Sequence, residues 1–176
     1  MSNSTNRQVV LAARPEGAPK ASDFNLIDAA IPEPGVGELV TRTIYLSLDP
    51  YMRGRMNDEK SYAEPVPIGG VMEGGAVGQV VASRNGDFAE GDFVCGRSGW
   101  QEYAVTNGTG LRKLDPAQAP LSTSLGILGM PCMTAYTGLD NIGQPKAGDT
   151  VVVSAATGAV GSVVGQIARI SGCRVI

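Results

Sequence analysis

Apolar and polar positions alternate differently in the two parts of the chain. From Arg7 to about residue 123 the apolar runs are short and separated by turn residues, which predicts a mainly β region. Arg7 to Ala13 and Phe24 to Ile31 are two such segments. They are followed by the turn Pro32-Glu-Pro-Gly-Val-Gly37 and a longer alternating run, Leu39 to Leu48. Ala76 to Ala82 and Phe93 to Cys95 flank Arg84 to Asp92, whose Asn-Gly and Gly-Asp steps favour turns with positive φ. Gln101 to Thr106 adds one more strand. The 24 Gly and 11 Pro lie mostly in this portion and favour a twisted, loop-rich barrel over a helical bundle.

The pattern changes near Pro120, the predicted domain boundary. Ser122-Thr-Ser124 is suited to cap a helix, and Pro131 to the first turn of another over Cys132 to Asn141, with Gly143 past its end. Pro145 to Gly148 reads as a turn. Thr150-Val-Val-Val-Ser154 is a continuous β-branched run, the pattern of a strand buried on both faces of a parallel sheet. Val160, Val163, Val164, Ile167 and Ala168 then form a helical stripe that ends at Gly172, and Cys173 to Ile176 opens a second strand.

With 176 residues and 43% hydrophobic content, the chain can bury one good core plus part of another domain. A net charge of −3, from acidic and basic residues mixed along the chain, argues against nucleic acid or an anionic membrane as partner. No apolar run reaches signal-peptide or membrane-spanning length, so a soluble cytoplasmic protein is expected. Cys95, Cys132 and Cys173 are widely spaced and odd in number, which predicts reduced core residues. The chain contains 0 His, so a histidine base or a histidine-ligated zinc has no residue to use. Metal-free chemistry is expected in this segment.

The richest stretch is Asp149-Thr-Val-Val-Val-Ser-Ala-Ala-Thr-Gly-Ala-Val-Gly161. A strand, a glycine turn, a helix and a returning strand follow in register, which predicts a dinucleotide site with the pyrophosphate at the helix N-terminus. The turn departs from G-x-G-x-x-G in carrying Ala156 at the first glycine position, with Gly158 and Gly161 at the second and third. The plainer reading is an ordinary tight β-α turn. The residue that selects NAD or NADP is expected beyond Ile176.

Together with Leu48-Asp-Pro-Tyr-Met-Arg-Gly-Arg-Met56, Gly99-Trp-Gln-Glu-Tyr103 and Gly129-Met-Pro-Cys-Met-Thr-Ala-Tyr136, this stretch resembles the zinc-independent branch of the medium-chain dehydrogenase/reductase superfamily. That branch holds the prostaglandin and leukotriene B4 reductases, plant double-bond reductases and bacterial curcumin reductases. The resemblance implies a mainly β GroES-like catalytic barrel, residues 1–123. It also implies the first β-α-β portion of an α/β Rossmann domain, residues 124–176, with NADPH in the cleft between the two. Hydride would pass to the β-carbon of an α,β-unsaturated ketone or aldehyde, and a homodimer is implied for the complete protein. A complete dinucleotide fold has about six parallel strands, so these 176 residues alone are expected to be an inactive N-terminal part. Two other readings are a non-catalytic barrel module and a quinone reductase of the same superfamily.

Residue by residue, the resemblance places Gly158, Ala159, Val160 and Gly161 at the cofactor phosphates, and Met130 and Thr134 near the nicotinamide. Tyr51 matches a pocket tyrosine whose hydroxyl orients the substrate carbonyl; packing below a turn is its equal alternative. Tyr62 lies in a loop and either lines the pocket or is simply exposed. Arg53 is expected in a structural ion pair, and Trp100, Glu102 and Tyr103 in packing. Val71 and Met72 stand in the pocket stretch where some relatives carry a tyrosine.

Overall fold

Short β-branched runs can satisfy their backbone groups only by pairing. The computed structural model, which describes residues 5–176, divides the chain into two compact units, Met1–Gln118 and Ala119–Ile176. In the first, β1 (Asn6–Leu11) and β2 (Phe24–Ala29) pair antiparallel, from Asn6 opposite Ala29 to Leu11 opposite Phe24. Next come β3 (Leu39–Leu46), a one-turn helix α1 (Tyr51–Arg55), β4 (Gly75–Ser83), β5 (Phe93–Arg97), β6 (Tyr103–Thr106) and β7 (Arg112–Leu114). The last five strands form an antiparallel sheet in the order β6-β3-β4-β5-β7. The β-rich character follows the expectation, while α1 and β7 were not visible in the hydrophobic pattern.

The alternation predicted for Leu39 to Leu48 is interrupted. Register shifts lie between Val40 and Thr41, where Val81 of β4 is the extra residue, and between Thr43 and Tyr45, where Ile44 of β3 is; Leu39, Val40 and Thr41 are buried in succession. A bulge inserts one residue and turns the following side chains to the other face. The central strand β4 buries Ala76, Val77 and Val80, and Gly78 lets it approach β3: a Cβ there would lie 2.8 Å from the Arg42 carbonyl oxygen. Leu39, Val80 and Val94 form one core cluster; Leu11, Met56, Val66 and Met72 form another, with Phe24 and Trp100 against it. In the Arg84 to Asp92 turn only Gly91 takes positive φ. Asn85 instead accepts the Asp87 N–H on its own side chain and holds the Gly37 and Asn107 carbonyls, which removes the need for positive φ at Gly86.

In the second unit a 3-10 turn, Leu121–Leu125, stands where the serine cap was expected. Helix α2 (Met130–Tyr136) buries Pro131 and Ala135 and continues into a wider π-helical turn, Thr137–Gly143, that buries Leu139. The left-handed residue ending it is Gln144, at φ 47°, rather than Gly143; its N–H reaches the Leu139 carbonyl at 2.7 Å. Strand β8 (Thr150–Val151), helix α3 (Gly161–Ile170) and β9 (Arg174–Val175) follow, with β8 and β9 parallel. The strand predicted through Ser154 is regular only over Thr150–Val151, although the Val153 N–H still reaches the Ile176 carbonyl at 2.9 Å; it lies beside one neighbour, and Val152 is 74% exposed rather than buried on both faces. Leu139, Ala168 and Cys173 form the core here, packed by Val151, Val164, Ile167 and Val175. Cys95 and Cys132 are only partly buried, so of the three cysteines only Cys173 is a core residue.

Leu39 is fully buried between sheet neighbours. Leu39→Ala is expected to lower the free energy of unfolding by about 2–5 kcal/mol, read from the shift in a urea denaturation midpoint.

Candidate functional site

Asp49 and Pro50 turn the chain into α1. The Asp49 carboxylate accepts the Tyr51 N–H at 3.1 Å, so Tyr51 is the first residue of a helix and not part of a loop. The helix is held at its other end. Arg53 donates to the carbonyls of Pro15 and Gly17 and to the Asn57 side chain, so the predicted ion pair is replaced by a clamp on backbone oxygens. Those carbonyls belong to a turn with no strand to pair with, which leaves them open to a guanidinium donor.

The ion pair belongs to Arg55, two residues later. Its Nε and Nη2 reach the two Glu73 oxygens at 2.8 and 2.7 Å, in bidentate geometry. Arg55 is only 6% exposed, and its Nη1 is buried without a hydrogen-bond partner. Sequence reading missed this pair. Its one signal was the spacing of Tyr51 and Arg55, which share a face only once the segment is helical.

Tyr51 is half-buried. Burial pushes its phenol up from the ordinary value; Arg97 opposes that, and Glu73, Asp49 and Tyr62 add to it. Tyr51 and Tyr62 in turn bear on Arg55. The first unit therefore gathers both candidate tyrosines with Asp49, Arg55, Glu73 and Arg97 into one electrostatic neighbourhood. Tyr62 itself is 81% exposed. Met72 points into the core with Leu11, Met56 and Val66, away from any pocket surface. Trp100 stacks on Phe24 with ring centroids 5.7 Å apart, and Glu102 pairs with Arg7 at 2.6 Å, which are packing and surface roles.

The second unit carries the glycine turn. Ala155 sits at φ 52°, a left-handed conformation costly for a residue with a Cβ. Its carbonyl accepts the Gly158 N–H at 2.9 Å and lies so close to Gly161 that a Cβ there would be 2.4 Å away. Gly161 thus starts α3 hard against the turn. The N–H groups of Ala159, Val160 and Gly161 donate to no acceptor among the described residues. Unsatisfied donors at the positive end of a ten-residue helix form an arrangement that binds anions, phosphate among them. Met130 and Thr134 lie one turn apart on α2, which packs against α3, and both are exposed. The Thr134 hydroxyl donates to the Met130 carbonyl at 2.9 Å and keeps its lone pairs for a ligand donor. Among the described residues no group of three or more His, Cys, Asp or Glu side chains is placed to hold a metal ion, and no helix is long and apolar enough to cross a membrane.

Comparison with known proteins gives consistent relatives. Residues 7–114 match a family described as the N-terminal domain of oxidoreductase. The chain is 58% identical over 172 residues to the NADPH-dependent curcumin reductase of Escherichia coli, covering 97% of this chain and 50% of that protein. It is 44% identical over 178 residues to an NADP-dependent 2-alkenal reductase of Nicotiana tabacum, covering 98% and 52%. The crystal structure of CurA in complex with NADPH from Vibrio vulnificus superposes with a TM-score of 0.92 at 56% identity, covering 96% and 50%. The chain spans about half the length of the curated relatives it matches.

The raised phenol has a direct consequence. Difference titration against Tyr51→Phe should place the Tyr51 ionisation above the ordinary value near 10. The folded protein then keeps a proton that the unfolded chain releases, so this group leaves stability unchanged below about pH 10 and lowers it as pH rises further. Thermal melts of the two proteins from pH 8 to 11 should diverge only at the alkaline end.

Proposed function

We propose a function from one premise: the chain belongs to the oxidoreductase family that includes the curcumin, alkenal and prostaglandin reductases, and matches its N-terminal part. In the whole protein, the reading is NADPH-dependent reduction of the carbon-carbon double bond of an α,β-unsaturated ketone or aldehyde. The observation that carries it is the glycine turn with its three uncommitted N–H groups, in a chain 58% identical to an NADPH-dependent reductase.

The residues present fit the cofactor. Gly161 leaves no room for a side chain between turn and helix, and Gly158, Ala159, Val160 and Gly161 are the positions to hold the phosphates. Met130 and Thr134, on the helix packed beside α3, would line the nicotinamide. On this reading residues 1–123 are a GroES-like catalytic domain and residues 124–176 open a Rossmann domain, of which the parallel pair β8 and β9 around α3 is the first unit.

NADPH, when bound, supplies the hydride for the β-carbon. Charge then develops on the substrate carbonyl oxygen as an enolate, which a hydrogen-bond donor must stabilise before the α-carbon takes up a proton. Tyr51 suits that task. A phenol is protonated at neutral pH, and burial shifts Tyr51 further in that direction, so its hydroxyl is available as a donor. No zinc is required in this scheme, because the donor replaces the Lewis acid.

The polypeptide as its gene encodes it should oxidise NADPH only when an enone or enal is present. Lack of turnover across a panel of such alkenes would overturn the reading, and faster turnover of quinones would move it to quinone reduction. Tyr51→Phe should lower kcat roughly ten- to a hundredfold, the usual scale for one oxyanion donor. Gly161→Ala should raise the Kd for NADPH about tenfold or more by displacing the turn.

A further inference from the structure

The chain contains two Asn-Gly steps, Asn85-Gly86 and Asn107-Gly108, and no other asparagine in it precedes a glycine. Neither step takes part in the proposed chemistry. Such a pair is reactive for a structural reason: with no side chain on the second residue, its backbone nitrogen can approach the asparagine side-chain carbon and close a five-membered ring. The fold brings the two steps together and treats them differently.

Asn85 is locked. Its Nδ2 donates to the Gly37 and Asn107 carbonyls at 2.7 and 3.0 Å, and its Oδ1 accepts the Asp87 N–H at 2.9 Å. Its own N–H donates to the Ser83 hydroxyl at 3.2 Å, and the residue is half-buried. Turning the side-chain amide onto Gly86 would break all of the side-chain bonds at once.

Asn107 is exposed, and its Nδ2 donates to no acceptor among the described residues. Its Oδ1 accepts the Thr109 N–H at 2.9 Å, which polarises the amide carbon and keeps the side chain folded back toward the Gly108 peptide. The Gly108 N–H donates to the Thr106 hydroxyl at 3.2 Å. That bond lies along the N–H, whereas ring closure uses the nitrogen electron pair perpendicular to the peptide plane, so it does not block attack. The glycine is also required by the fold, since it sits at φ 86° and a Cβ there would lie 2.7 Å from a Phe88 ring carbon. The same turn that needs Gly108 thereby exposes Asn107 to it.

We propose that Asn107 is a site of spontaneous covalent modification, deamidating through a succinimide to aspartate and isoaspartate, while Asn85 is protected by its contacts. The Gly108 nitrogen bonds to Asn107 Cγ, the Cγ–Nδ2 bond breaks, and the proton of the Gly108 nitrogen leaves with Nδ2 as ammonia. Solvent water then opens the ring at either carbonyl, and no oxidant or reductant takes part. The product carries a new carboxylate, and the isoaspartyl form lengthens the backbone by a methylene. That displaces the residue-107 carbonyl on which the Asn85 side chain rests.

The test incubates the polypeptide as its gene encodes it in neutral buffer, folded and, in parallel, unfolded in guanidinium chloride. Timed samples are digested and mapped by liquid chromatography and mass spectrometry, which separates the asparagine, aspartate and isoaspartate forms of each peptide. In the folded protein Asn107 should convert roughly tenfold or more faster than Asn85, a margin set by the hydrogen bonds that Asn85 must break. In the unfolded chain both steps lose their contacts, and the two rates should become similar. Asn107→Gln, whose longer side chain disfavours the ring, should lack the early product and leave Asn85 as slow as in the parent. Equal rates in the folded protein, faster conversion at Asn85, or an Asn107 that survives while the unfolded chain converts at both steps would overturn the proposal. A rate ratio that unfolding leaves unchanged would overturn it as well, because the difference would then belong to the local sequence and not to the fold.

Discussion

Strand β1 is hydrogen-bonded on both edges, and the arrangement around Tyr51 depends on that. On one side it pairs with β2. On the other its Val9 N–H reaches the Trp100 carbonyl at 2.9 Å, its Leu11 N–H reaches Gly70 at 3.0 Å, and the Met72 N–H returns to Val9 at 2.9 Å. An N-terminal segment is thereby tied to two segments far along the chain. The buried Asn6 side chain completes the tie by exchanging hydrogen bonds with the Tyr103 backbone at 2.8 and 2.9 Å. Without β1, Met72 and Trp100 would lose the neighbours that bury them, and Glu73, the next residue after Met72, would have no fixed position from which to meet Arg55.

The same logic of enforced closeness governs the second unit on a smaller scale. Burial of Leu139, Ala168 and Cys173 draws α3 and its flanking strands together. The turn before α3 must then pass within touching distance of the helix start, and only a residue without a Cβ fits at Gly161. A consequence of that tight passage is the set of outward N–H groups at Ala159, Val160 and Gly161. Packing and the proposed anion binding call for the same glycine.

The two halves of the proposed chemistry differ in how they are made. Anion recognition uses backbone groups and a helix dipole, which any sequence of small residues with the right turn supplies. Carbonyl orientation uses one phenol, which stands half-buried on a helix held to other segments through Arg53 and Arg55. Placement of that kind depends on several segments meeting at once.

This difference marks what the sequence by itself determined. The β-rich character of the first unit, the helix over the Val160 to Ala168 stripe, the stop at Gly172 and the glycine turn were all legible, because each rests on local periodicity or on the special freedom of glycine. The family resemblance was legible for a similar reason, since short motifs survive as strings. The pattern did not reveal the register shifts between β3 and β4, helix α1 or the pair of Arg55 with Glu73. A bulge appears only when a partner strand sets the register. Five residues around a proline and a glycine carry no helical signal until hydrogen bonds to distant segments hold them. Arg55 is one of two arginines in α1, and only the folding of residues 51–55 against residue 73 makes it a buried one, because the energy of a charge is decided by its surroundings and not by its neighbours in sequence.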